Sequence, residues 1–265
     1  MNPRFSLALV ALALVAGALA LMFGDNGGSL PPAPPVSSAL ISSEQPNEPL
    51  PPDQDYVLAI SWHPAFCETK PYLDECRDAS GDYTATRFAL HGLWPQDDEY
   101  CGVGERIIRL DEANRWDDLP AIEVSNTTWR DLVRVMPGTQ DGLDRHEWVV
   151  HGSCAGVSAE RYFRRSIDLT EEINRSAVGA LMGSRIGQRV TADQLRAAFD
   201  DAFGSGAGRR VRLDCESEDG RRLISELRIN LAGPVMGTAS LRQLIAAGQT
   251  TGPRCDGGIV DRAGQ

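Results

Sequence analysis

The sequence predicts an α+β domain: a central antiparallel sheet packed with helices and stabilised by disulfides. Three observations carry this. Segments rich in β-branched, aromatic and aliphatic residues gather at both ends of the region beyond residue 55. Helix-patterned segments fill its middle, which is the order of an α+β chain. Six cysteines, an even number, all lie beyond residue 55.

In chain order, Arg4 precedes an apolar run from Phe5 to Phe23, and Ala18-Leu19-Ala20 offers a small-residue cleavage site. Residues 1–23 therefore read as a signal peptide or as an N-terminal membrane anchor, because the run is also long enough to span a bilayer as a helix. Either way the domain leaves the cytosol for the periplasm or the cell exterior; in the second case residues 5–23 tether it to the membrane. Residues 24–54 hold eight of the sixteen prolines and no periodic apolar face, the composition of a tether that does not pack. A single domain spans residues 55–265.

Within it, strands are predicted over Tyr56–Trp62, Thr84–Leu90, Arg210–Cys215 and Leu223–Leu231. Helices are predicted over Thr127–Val135, stopped by Pro137-Gly138, over Ala159–Asn174, and over Ala192–Phe203, which opens with the Thr191/Gln194 capping-box pattern. Cys67, Cys76, Cys101, Cys154, Cys215 and Cys255 lack the spacing of paired zinc ligands and read as a disulfide framework with its pairing open. The formal net charge of −11 excludes a broad basic surface of the kind that grips nucleic acid by counterion release. It leaves room for a local cationic cleft.

The chemistry concentrates in two short segments, FALHGLWPQ at residues 88–96 and HEWVVHGSC at residues 146–154, which hold three of the four histidines. Histidine can serve as neutral base and as protonated acid at the same pH, so two of them facing one substrate can move a proton across it. If the second segment is helical, Glu147 and His151 lie four residues apart on one face, and His146 falls roughly 140° away. A lone His91 or a lone Trp94 is more often structural, and Glu147 alone more often a solvated helix residue; the convergence of two segments reverses those odds. His63 has no such support and reads as structural.

These two segments, in this order and separation, resemble the two active-site motifs of the ribonuclease T2 family, and the similarity extends from Tyr56–Trp62 to the C-terminal cysteines. The resemblance implies that family's α+β architecture and a metal-independent endoribonuclease, without cofactor, that cuts single-stranded RNA with little base specificity and leaves a 2′,3′-cyclic phosphate. DNA, which lacks the 2′-hydroxyl nucleophile, is not cleaved. By the same resemblance His151 is the base, His91 the acid, and His146 binds phosphate with Glu147 polarising it. Trp94 and Gln96 contact the base, and Cys67–Cys76, Cys101–Cys154 and Cys215–Cys255 are bonded. The enzyme is expected to act as a monomer on RNA.

Two positions depart from the family pattern. Val150 stands where the second motif carries a lysine, and Lys70 is the only lysine in the chain; Arg145 is the candidate to replace that cation. Gln96 stands where many relatives have an acidic residue. Val150 also raises a rival reading, a weakened or silent RNA-binding protein on the same fold. A zinc hydrolase using His146, Glu147 and His151 is a weaker rival, because its histidines would be five apart rather than four. Asn126 and Asn174 head glycosylation sequons that are expected to remain bare.

Overall fold

The computed structural model describes residues 51–264, with positions 52 and 78 left out. The expectations for residues 1–23 and for all but the last few residues of the tether lie outside the described residues. Among the described residues, no helix is long and apolar enough to cross a membrane.

Six strands form one sheet: β1 (Tyr56–Ser61), β2 (Ala89–Pro95), β3 (Arg189–Thr191), β4 (Val211–Glu218), β5 (Arg221–Leu231) and β6 (Gly257–Ile259). The order is β2-β1-β5-β6-β3, with β4 also paired to β5. All pairings are antiparallel except a short parallel contact of β5 with β6, Leu223 opposite Ile259. The sheet is thus mixed at one point of an otherwise antiparallel framework. The helices are α1 (His63–Thr69), α2 (Glu105–Glu112), α3 (Asn126–Val135), α4 (Leu143–Val150), α5 (Ala159–Asn174), α6 (Ala177–Ser184), α7 (Ala192–Phe203) and α8 (Leu241–Ala247).

The predicted α5 and α7 match residue for residue, and Thr191 and Gln194 form the predicted capping box. Helix α3 begins one residue earlier, capped by the Ser125 side chain on the Thr128 N–H. The expected strand over Thr84–Leu90 is corrected. Tyr83–Thr86 form a 3₁₀ turn, where the Thr84 hydroxyl meets buried His63, and the strand runs over Ala89–Pro95 instead. Tertiary contacts override the β propensity of the threonines.

Every residue of β1 from Tyr56 to Ile60 is buried, as befits a strand flanked on both edges and covered on both faces. From Glu226 onward β5 alternates. Leu227, Ile229 and Leu231 enter the core, while Glu226, Arg228 and Asn230 face the other way. The main core joins Leu58, Ile60, Trp62, Phe88, Leu90 and Leu93 to Phe163 and Phe199 of the helices. A second, smaller cluster holds Leu119, Val149 and Val150.

All three disulfides implied by the resemblance are present: Cys67–Cys76, Cys101–Cys154 and Cys215–Cys255. The buried His63 ring bonds Glu75 at 3.0 Å beside the first of them, a structural role. His63, Cys67 and Cys76 group closely enough to hold an ion, but both sulfurs are consumed in the disulfide. Asn174 spends its side-chain amide on the backbone N–H and C=O of Phe88, so a glycan there would cost both bonds.

Candidate active site

Strand β2 carries the first half of the site, and an irregularity aims it. Ala59 pairs with Gly92 and Ile60 with Leu90, so His91 is an extra residue without a partner in β1, a β-bulge. Strict alternation would put Leu90 and Leu93 on opposite faces. The bulge returns both to the core and leaves His91 and Trp94 as the partly exposed positions of the strand. The expectation that His91 ends a strand is therefore corrected: it sits inside one, and the bulge re-aims it.

Helix α4 carries the second half. His146 and Glu147 lie within it, and His151, its last N–H bonded to the Glu147 carbonyl, is the capping residue just past its end. The chain must turn at once, since Cys154 is bonded to Cys101 and the Tyr100 N–H is held by the Val150 carbonyl. Gly152 permits that turn: a Cβ there would lie 2.4 Å from the Trp148 ring.

The four predicted residues converge. His91 Nε2 is 3.6 Å from Glu147 Oε1, and the His146 and His151 rings are 6.5 Å apart edge to face. Trp94 lies among them, edge-on to His91 at 5.1 Å and tilted against His151 at 5.4 Å, and its indole N–H donates to Glu147 Oε2 at 2.8 Å. Gly92 makes this possible. A Cβ there would come within 2.0 Å of Glu147 Oε2, so only glycine lets the carboxylate lie against the strand.

Four partners were missed by the sequence reading. Glu226 of β5 accepts from His91 Nδ1 at 2.6 Å, and Arg228 Nε donates to the other oxygen of Glu226 at 2.5 Å. Asp111 of α2 bonds His146 Nδ1 at 2.7 Å, and Trp116 stacks on the same ring at 4.5 Å. The alternation of β5 was the available signal for Glu226 and Arg228. Nothing local marks Asp111 or Trp116. Arg145 turns its Nη1 to the carbonyl oxygens of Asp117 and Leu119 rather than to the histidines. Val150 is buried beside Leu119. Gln96 is exposed, and its amide donates to the Trp94 carbonyl at 3.0 Å.

The environments set opposite charge states. Burial alone would lower the pKa of His91, but the Glu226 hydrogen bond and the fields of Glu147 and Glu226 outweigh it and hold the imidazole above its usual value. For His151, burial together with the nearby His146 and His91 pushes it down to about 4. Its Nδ1 is buried without a hydrogen-bond partner. Glu147, fully buried, is raised by desolvation against the pull of His91 and His146.

The α+β domain thus brings together imidazoles of opposite charge preference, one of them 3.6 Å from a buried carboxylate. The family model of the ribonuclease T2 family matches residues 54–245, and the chain belongs to that family. It is 30% identical over 200 residues to Ribonuclease I of Escherichia coli, covering 66% of this chain and 74% of that protein. Several other curated relatives are spanned over about half their length. The fold matches a Nicotiana alata self-incompatibility-associated SF11-RNase (TM-score 0.51, 16% identity, 77% of this chain and 95% of that one). It also matches an RNase NT structure in complex with 5′-AMP (TM-score 0.50, 16% identity, 79% and 97%).

Proposed function

We propose that this protein is an exported endoribonuclease that cleaves single-stranded RNA by transphosphorylation, using its own side chains and no metal. The observation that carries this is the pair of imidazoles whose surroundings shift their proton affinities in opposite directions, one of them 3.6 Å from a buried carboxylate. His151, neutral above about pH 4, removes the proton from the ribose 2′-hydroxyl through Nε2, the ring nitrogen that is not buried. The 2′-oxygen attacks the adjacent phosphorus as the bond to the 5′-oxygen breaks. His91, kept protonated by Glu226, donates to that departing oxygen from Nε2. The products are a 2′,3′-cyclic phosphate end and a free 5′-hydroxyl.

Asp111 fixes His146, since a carboxylate oxygen can only accept and so places the ring proton on Nδ1. With Nδ1–H held by Asp111, a doubly protonated His146 ring has Nε2–H left to donate to a phosphate oxygen. Glu147 between the rings polarises the same phosphate. Three disulfides support an oxidising compartment, the periplasm or the cell exterior. The domain acts as a monomer, and residues 1–23 direct its export or anchor it.

The test is cleavage of RNA and of matched DNA by the full chain in EDTA, with His91→Ala and His151→Ala alongside. The expected result is cyclic-phosphate ends from RNA only, and a fall of about 10²–10⁴ in each variant, the usual worth of a general acid or base. RNA binding without turnover by the wild type would make it a silent binder with Val150 as the cause. Activity lost in EDTA would favour the zinc alternative.

A further inference from the structure

The face of the sheet that carries His91 continues away from it as an ordered polar surface. The register sets Gly92, Ala59, Arg228 and Arg212 in one row across β2, β1, β5 and β4, and Trp94, Val57 and Asn230 in the next. Glu226 and Asp214 pair in the row on the other side of Arg228. The Arg228 guanidinium lies 5.0 Å above the Trp94 ring. The cavity they line, with Gln96 and Thr251, has a volume of about 170 Å³.

Both guanidiniums are fixed along one edge. Arg228 gives its Nε to Glu226 and approaches Asp214, and Arg212 gives Nε and Nη2 to Asp214. Among the described residues, neither Nη of Arg228 and not Nη1 of Arg212 has an acceptor. Arginine carries donors only, so a cavity walled by two of them calls for an anion or another acceptor. Arg254 adds a third guanidinium near Asp214, so three cations face two carboxylates. In a chain of net charge −11, that is a local cationic cleft.

We infer that Arg212 and Arg228 form a second phosphate-binding subsite, which takes the phosphate neighbouring the scissile one on a bound RNA strand. The inference rests on the ribonuclease reading and extends it. Preorganised guanidinium edges with unspent donors suit a phosphate. The subsite also supplies cationic contact to the strand that Val150 does not.

The test uses the full chain and dinucleoside monophosphates of fixed bases in three forms: unmodified, 5′-phosphorylated and 3′-phosphorylated. In the wild type, one terminal phosphate is expected to raise kcat/KM about tenfold, through KM, and Arg212→Gln to bring that ratio close to one. The ratio within each variant cancels any general loss of activity. The same ratio in Kd, read by calorimetry on non-cleavable 2′-deoxy dinucleotides, decides the subsite even if the wild type fails to cut RNA. A ratio near one at both ends of the wild-type substrate overturns the inference. So does a gain that survives Arg212→Gln, or a dependence on base identity in place of the phosphate.

Discussion

His91 and His151 are the same side chain about a tryptophan's width apart, yet their surroundings differ in one respect that decides their chemistry. His91 is backed by a carboxylate at 2.6 Å, itself held by Arg228. His151 has no such partner; its Nδ1 is buried against packing alone. A buried imidazole with a carboxylate gains from being charged, and one without loses by it. The pair teaches that the charge preference of each imidazole follows from the residues behind it rather than from the motifs.

After replacement of the histidines themselves, the largest effect is expected where the two halves share a floor. Gly92→Ala puts a methyl where Glu147 Oε2 lies and crowds the Trp94 N–H, so carboxylate and indole must both move. Activity should fall about 10²–10³, the scale of losing one preorganised contact, with a lower Tm. A fully active Gly92→Ala protein would show that Glu147 need not lie against the strand.

Next comes Glu226→Gln, which removes the asymmetry itself. In the wild type, kcat/KM should rise as His151 loses its proton near pH 4 and fall only as His91 loses its own above 6.5. The amide should move the falling limb to lower pH and leave the rising limb in place, costing about 10–100-fold at pH 7. If the rising limb moves instead, the acid and base assignments are reversed.

The smallest effect concerns stability of helix α4, which carries His146 and Glu147. Asp144, in the first turn of α4, is buried, and desolvation raises its carboxyl to about 6. Because the folded value exceeds the unfolded one, the favourable contribution of the protonated form is full below pH 3.8 and is lost as pH rises through about 6. Asp144→Asn should therefore stabilise the protein by on the order of 1–3 kcal/mol at pH 7.5 and bring little near pH 4. Thermal melts at the two pH values measure it; equal shifts at both would remove the carboxyl as the cause.

Much of the fold was legible because it is local. The apolar period of α5 and α7, the Thr191 capping box and the alternating face of β5 are written within a few turns or pleats of the chain. The strand at Ala89–Pro95 was misplaced because its bulge breaks the two-residue period that would have identified it. The three-residue strands β3 and β6 give no periodic signal at all.

By itself the sequence determined the fold class and the family and pointed to the four residues that the fold brings together, since two compact motifs and a cysteine framework carry them. Only the tertiary structure decided what stands behind those residues. Glu226 reaches His91 across 135 positions of chain, and Asp111 reaches His146 across 35. Sheet register and the approach of α2 to α4 create those contacts, and no periodicity encodes them. The same holds for Arg145, which proximity in sequence offered as a substitute cation and which packing turned toward the carbonyls of Asp117 and Leu119. Charge states depend on burial and on partners distant in the chain, so the chemistry of each histidine is settled only when the chain has folded.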